Sequence, residues 1–303
     1  MVGWRSATLV FLKLRLYELA AKVVLLIVSY DTIISLRPPY AITPTILRLL
    51  ASIAEKVGAV NARYLVRQNP ILRKRNRIRT IQASLQIEGN TLSEEQVTAI
   101  LEKKRVMGPA SDIREVMNAM KLYDSLKSLR CHSERYFRRA HALLMDGLSE
   151  EVGNYRSRGV GIVKGRQVKH LAPPASRVSL LMKDLFAYLK HDPSPVFIKS
   201  CVFHYELEFI HPFLDGNGRM GRCWQTAILM SEYPVFEFLP FETLIAKQQA
   251  RYYQALAASD KQGASTPFIE FMLLIIDEAL AELLATEQEK LSGSERLSIF
   301  LES

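Results

Sequence analysis

His211-Pro212-Phe213-Leu214-Asp215-Gly216-Asn217-Gly218-Arg219-Met220-Gly221-Arg222 is the stretch on which the reading of this 303-residue chain turns. Before it, Ile198, Cys201, Val202, Tyr205 and Phe209 recur at helical spacing, so a helix over 195–210 ends against it. After it, Met220, Cys223, Trp224, Ala227 and Ile228 follow an i, i+3, i+4, i+7, i+8 pattern, the buried face of a second helix beginning near Gly218. Between the helices lies a tight loop with two glycines and an asparagine, which delivers backbone N–H groups onto a helix N-terminus. Amides without intrahelical partners and the positive end of the helix dipole together make an anion site. Arg219 and Arg222, on the first turn, add charged donors suited to phosphate oxygens. Asp215 has the chemistry of a Mg²⁺ ligand, because Mg²⁺ takes one or two carboxylates together with phosphate oxygens. His211, at the other end of the loop, is placed to accept a proton from a hydroxyl nucleophile. A structural turn between helices has no reason to gather two arginines and an aspartate. The loop therefore predicts a triphosphate cradle, a metal ligand and a base.

Outward from this loop almost everything reads as helix. Pro38-Pro39 breaks the first segment. Thr43 then serves as N-cap and Pro44 as first helical residue of a helix carrying Ile46, Leu49, Leu50, Ile53 and Ala54, which ends before Gly58. A helix over 71–88 stops at Gly89-Asn90, and Ser93 with Gln96 forms a capping box opening another to about residue 105. Further helices are expected over 113–129, 134–145, 176–188 and 268–284. Residues 159–170 break the pattern: β-branched residues flank Lys164-Gly165-Arg166, the mark of a β-hairpin, which Ala172-Pro173-Pro174 ends. The fold class is all-α with one hairpin, and no internal repeat is present.

Composition bounds the function classes. With 49% hydrophobic and 23% charged residues the chain is globular rather than disordered. Its net charge of +9 raises nucleic acid, anionic membranes or phosphate ligands as partners. Residues 1–80 hold 14 Lys and Arg against 3 Asp and Glu, which leaves 26 against 28 in the remainder. The excess therefore belongs to the N-terminal quarter. Three cysteines without a Cys-x-x-Cys pair indicate neither a disulfide framework nor a thiolate metal site, and point to a reducing, cytoplasmic compartment. Lys22 and Asp31 interrupt the apolar stretch 17–36, leaving too short a run to span a bilayer, and no small-x-small cleavage site follows it.

Residues 211–222 match, position by position, the His-Pro-Phe-x-(Asp/Glu)-Gly-Asn-Gly-Arg-x-x-Arg signature of the Fic family, and the resemblance extends over most of the chain from about Pro38. Gly153-Asn154-Tyr155-Arg156, the hairpin and Pro173-Pro174 resemble that family's flap region. The resemblance implies a Fic-fold helical bundle and protein adenylylation, a nucleotidyl transfer in which AMP passes from ATP to a target Ser, Thr or Tyr hydroxyl. It implies His211 as the base, Asp215 as ligand of a Mg²⁺ cofactor, and Asn217 with the amides of Gly216 to Gly218 as anion hole. Arg219 and Arg222 would hold the β- and γ-phosphates. Val160, Gly161, Ile162 and Val163 of the flap would pair an extended target segment, and Tyr253 or its neighbour Tyr252 would stack near adenine. Ser84-Leu85-Gln86-Ile87-Glu88-Gly89 resembles the family's inhibitory (Ser/Thr)-x-x-x-Glu-(Gly/Asn) motif. By that likeness Glu88 pairs with Arg222 and keeps ATP from productive placement, with Ser84 one helical turn before it.

The domain organisation expected on this basis is an N-terminal extension over 1–37, a helical region carrying the inhibitory helix over 38–110, the Fic core over 111–290 and a polar tail over 291–303. Other readings of the same scaffold are removal of AMP, or transfer of phosphate, phosphocholine or another nucleotide; the intact Asn217, Gly218 and Arg219 favour AMP transfer. From a different class, the basic run 73–79 would suit a DNA-binding regulator, against which stands a solvated helix face or one packed against acidic neighbours. His204 is expected as a satisfied core histidine. ATP and a target protein are the expected partners, nucleic acid and membrane the disfavoured ones. Self-modification and a homodimer stay open.

Overall fold

A computed structural model describes residues 37–64, 70–164, 167–237 and 239–302. The readings of residues 1–36, as extension and as apolar stretch, lie outside the described residues, as does the tip of the hairpin at 165–166. From Pro38 onward the chain gathers into one unit.

Thr43 opens helix α1 (Pro44–Tyr64) as its spacing predicts, accepting the Ile46 N–H on Oγ1 at 3.2 Å. The helix does not stop before Gly58. Val57 and Val60 continue the buried stripe of Ile46 and Ile53, and this burial outweighs the roughly 1 kcal/mol a mid-helix glycine costs. α2 (Pro70–Ile87) ends where Gly89 takes φ +100°, a value that suits glycine. The Ser93–Gln96 capping box opens α3 (Glu94–Leu101), which is shorter than expected, because Lys103 turns to φ 59°. α4 (Ala110–Ser125) and α5 (Glu134–Leu144) follow. The one hairpin pairs β1 (Gly161–Lys164) with β2 (Gln167–Leu171), antiparallel, with a bulge between Ile162 and Val163. α6 (Ala175–His191) leads to the central pair, α7 (Val196–Ile210) and α8 (Asn217–Met230). The short helices α9 (Phe241–Lys247) and α10 (Gln249–Gln262) precede α11 (Thr266–Glu302), which runs through the expected polar tail.

The core lies around α7 and α8. Both are buried on nearly every side, not only along the stripes read from their spacing. Trp224 is fully buried against Phe137 at 5.0 Å, edge to face, and donates its indole N–H to the Cys131 carbonyl at 3.0 Å. Phe137 also meets Phe186, Phe203 and Phe213, so α5, α6, α7 and the signature loop share one aromatic cluster. Burying each such ring contributes about 1.5–3 kcal/mol. α1 packs along α11, where Lys56 reaches Asp277 at 2.6 Å. α2 lies across α9 and touches α8, which brings the end of the proposed inhibitory helix to the signature.

Candidate active site

The signature loop is a stapled turn. α7 ends at His211 in the left-handed region (φ 49°), with its N–H still bonded to the Leu207 carbonyl at 2.9 Å. A side-chain-bearing residue held there costs about 1–2 kcal/mol, and Arg156 supplies the restraint. Only 2% exposed, Arg156 donates Nε to the His211 carbonyl (2.7 Å) and Nη2 to those of Pro173 (2.6 Å) and Ile210 (3.2 Å). Its own N–H bonds the Pro212 carbonyl at 2.9 Å. Arg156 lies in the motif that resembles the family's flap region, but nothing in that motif marks it as clamp of the loop, because the carbonyls of His211, Pro173 and Ile210 are distant in sequence.

A second staple crosses the turn. The Asn217 side chain accepts the Phe213 N–H and donates to the Phe213 carbonyl, both at 2.9 Å. Its side-chain amide is thus engaged within the loop through Oδ1 and one Nδ2–H. Gly216 sits at φ +81°, and a Cβ there would lie 2.8 Å from Met145 Sδ. Beneath the loop the buried His141 stacks on Phe213 at 3.5 Å. It accepts the Gly153 N–H on Nδ1 (2.9 Å), so its Nε2–H is the donor to the Asp215 carbonyl (3.0 Å). Burial pushes the His141 pKa down to about 4. It is a neutral, orienting histidine, and no motif or spacing around residue 141 marks it as one.

Both arginines lie at the start of α8. Arg219 divides its guanidinium between Asp215 Oδ1 (3.0 Å) and Glu115 Oε1 (2.5 Å). Arg222, wholly buried, donates Nε to Ser84 Oγ (3.0 Å) and Nη2 to the Ser84 carbonyl (2.9 Å) and Glu88 Oε1 (2.7 Å). Burial by itself would lower the Arg222 pKa, but Glu88, Tyr252 and Glu208 raise it above its ordinary value. A Cβ on Gly218 would collide with Glu88 Oε1, so the carboxylate lies against the first turn of α8. Gln249 donates to the Ile87 carbonyl at 2.8 Å and holds the end of α2 in place.

The remaining expectations fall as follows. Among the described residues the sheet has only two strands, so the outer edge of β1 carries no strand partner, and Val160 leads into it half-buried. Tyr252 is 1% exposed and bonds His204 at 3.1 Å, which removes it as a stacking platform; Tyr253 is 47% exposed. Burial and the Glu88 charge raise the Tyr253 pKa. His204 is a satisfied core histidine, bonded to Gln225 at 2.7 Å. In the basic run, Lys74, Arg77 and Arg79 face Glu102, Asp124 and Glu94, the acidic-neighbour arrangement. The three cysteines are free and buried. Among the described residues, no group of three or more His, Cys, Asp or Glu is gathered to hold a metal, and no helix is long and apolar enough to cross a membrane.

Residues 131–229 match the Fic/DOC family. The protein adenylyltransferase Fic of Nematostella vectensis is 30% identical over 231 residues, 69% of this chain and 49% of that protein. The protein adenylyltransferase fic-1 of Caenorhabditis elegans is 31% identical over 196 residues, 61% of this chain and 37% of that one. The chain thus spans less than half the length of these curated relatives. A solved structure of C. elegans Fic-1 shares the fold, with a TM-score of 0.67 at 20% identity over 81% of this chain and 73% of that chain. A solved Fic family protein from Desulfovibrio desulfuricans G20 covers 83% of this chain and is itself covered to 77%, with a TM-score of 0.79. At 49% identity to that protein over so much of both lengths, and with the signature intact on its stapled turn, the chain belongs to the Fic family.

Proposed function

We propose that this chain is a protein adenylyltransferase, moving AMP from ATP to a Ser, Thr or Tyr hydroxyl of a target protein, and that Glu88 restrains it. The observation that carries the reading is an anion of the chain's own at the anion site: Glu88 lies against the first turn of α8 and 2.7 Å from Arg222. A nucleotide phosphate would seek the same two partners.

In the reaction, the amides of Asn217 and Gly218, and that of Gly216 once released from Asp215 Oδ1, receive the α-phosphate at the N-terminus of α8, and Arg219 and Arg222 hold the β- and γ-phosphates. His211 takes the proton of the target hydroxyl as its oxygen attacks the α-phosphorus. The bond from that phosphorus to the bridging oxygen breaks, and pyrophosphate leaves with its charge on the arginines. Positioning and electrostatic stabilisation supply most of the acceleration. Asp215 fits a Mg²⁺ ion bound together with nucleotide: its carboxylate is 63% exposed and both of its recorded contacts use Oδ1. Such an ion neutralises phosphate charge when bound. The outer edge of β1 suits strand addition by an extended target segment, and Tyr253 suits stacking on adenine.

The test is Glu88→Gly protein with ATP labelled at the α-phosphate and Mg²⁺. Strong labelling of protein is expected, lost when His211→Ala is added, and the adduct mass distinguishes AMP from phosphate. Labelling no stronger than in the unaltered chain removes the restraint by Glu88, and labelling that survives His211→Ala removes His211 as base.

A further inference from the structure

The segment that carries Glu88 also reaches the other phosphate arginine, by a route outside the signature. Glu115, on α4, binds Arg219 through Oε1, and its Oε2 accepts Asn90 Nδ2 at 2.8 Å. Asn90 stands two residues after Glu88 and is 8% exposed. Its Nδ2 also donates to the Asp112 carbonyl (3.1 Å), and its Oδ1 accepts the Leu92 N–H (3.1 Å). Thr91 adds its N–H and hydroxyl to Asp112 Oδ2 at 2.9 and 2.7 Å. The turn behind Glu88 is therefore fastened to α4 beside Glu115.

The charges decide which carboxylate anchors Arg219. Its side chain is 6% exposed, that of Asp215 63% and that of Glu115 19%. A solvated carboxylate is a weak counter-ion for a buried guanidinium, and a partly buried one with a further hydrogen bond is a strong one. Asp215 is also the residue that would turn to a metal ion when nucleotide arrives. Among the described residues Arg219 Nε and Arg222 Nη1 are buried without a hydrogen-bond partner, which leaves each arginine a nitrogen with donor capacity to spare.

We propose that Glu115 is a positioning residue for Arg219, aiming its vacant donor at the β-phosphate, and that Asn90 makes this aim depend on the segment behind Glu88. Displacement of residues 84–90 then acts on both arginines: on Arg222 through Ser84 and Glu88, on Arg219 through Asn90 and Glu115. The inference rests on the nucleotide reading above and adds its regulation.

AMP and ADP differ by the β-phosphate, so titration calorimetry with each, in Mg²⁺ and a Glu88→Gly background, isolates the contact. Adding Glu115→Gln is expected to weaken ADP about tenfold and leave AMP within about twofold, with Asn90→Ala about threefold on ADP alone. An equal loss for AMP and ADP would assign Glu115 to the fold and overturn the proposal. Unchanged or tighter ADP binding overturns it too, since Glu115 would then be idle or a competitor of the phosphate. A Glu88→Gly parent that binds neither nucleotide overturns the nucleotide reading itself, and this inference with it.

Discussion

Glu88→Gly should make the protein bind ATP more tightly and fold less stably, both through one ion pair. The Arg222 side chain is fully buried, whereas that of Glu88 is 32% exposed. Stripping a partner from a fully buried pair costs about 3–5 kcal/mol, and exposed pairs are worth at most about 1 kcal/mol. With one partner on each side of that divide, and Ser84 still bonded to Arg222, we expect a loss near 2 kcal/mol. That is a melting-temperature drop of about 3–4 °C in the nucleotide-free protein. The same carboxylate competes for Arg222 and the α8 N-terminus, so its removal should tighten ATP by up to about thirtyfold. Thermal melting with and without Mg²⁺ and ATP, alongside calorimetric titration, reads both quantities, and saturating ATP should return the lost degrees. Glu88→Gln, which keeps the shape and one hydrogen bond, should fall between. Tighter ATP binding with no loss of melting temperature, or the reverse, would refute the argument that one pair governs both.

Three other outcomes follow from buried polar groups, two at the loop and one on α9. Arg156→Lys cannot serve the carbonyls of His211, Pro173 and Ile210 together, and each buried carbonyl left unpaired costs about 1–3 kcal/mol. It should melt several degrees lower and lose AMP labelling in the Glu88→Gly background; parental behaviour in both assays would remove it from this role. His141 has its pKa depressed from 6.5 to about 4, so the unfolded chain takes up a proton first as pH falls. Its contribution is full above about pH 6.5 and is lost between there and about pH 4, and His141→Gln, able to make both hydrogen bonds, should lose less on melting at pH 5 than the parent. Glu242, buried beside Thr226, has its pKa raised from 4.5 to about 7 by desolvation, with Oε2 unpartnered among the described residues. Its contribution is full below about pH 4.5 and is lost as pH rises through about 7, so Glu242→Gln should raise the melting temperature at pH 8 more than at pH 5; an equal gain would refute the burial argument.

Much of this site was legible because its chemistry is local. A Gly-rich turn between two amphipathic stretches implies an anion site whatever surrounds it, and the spacing of Met220, Cys223 and Trp224 places their helix without knowledge of the rest. The same locality explains the errors. Gly58 reads as a stop until α11 is seen to bury the far half of α1, and Lys103 gives no warning of the turn that shortens α3. The two tyrosines at 252 and 253 are equivalent on paper; only packing sends one into the core and leaves the other exposed.

From residue order alone came the all-α class with its hairpin and the phosphate-seeking turn; Glu88 as the partner expected for Arg222 came from the likeness of residues 84–89 to the Fic family's inhibitory motif. Tertiary structure alone decided which groups make that turn rigid and which set its charges. Arg156, His141 and Glu115 reach the loop from three separate segments, Glu115 from 104 positions away, and Asn90 bonds Glu115 from a fourth; spacing along the chain encodes none of these contacts. A hydrogen bond between distant segments depends on where packing puts them, and burial, which turns such a contact from negligible to decisive, is a property of the folded whole.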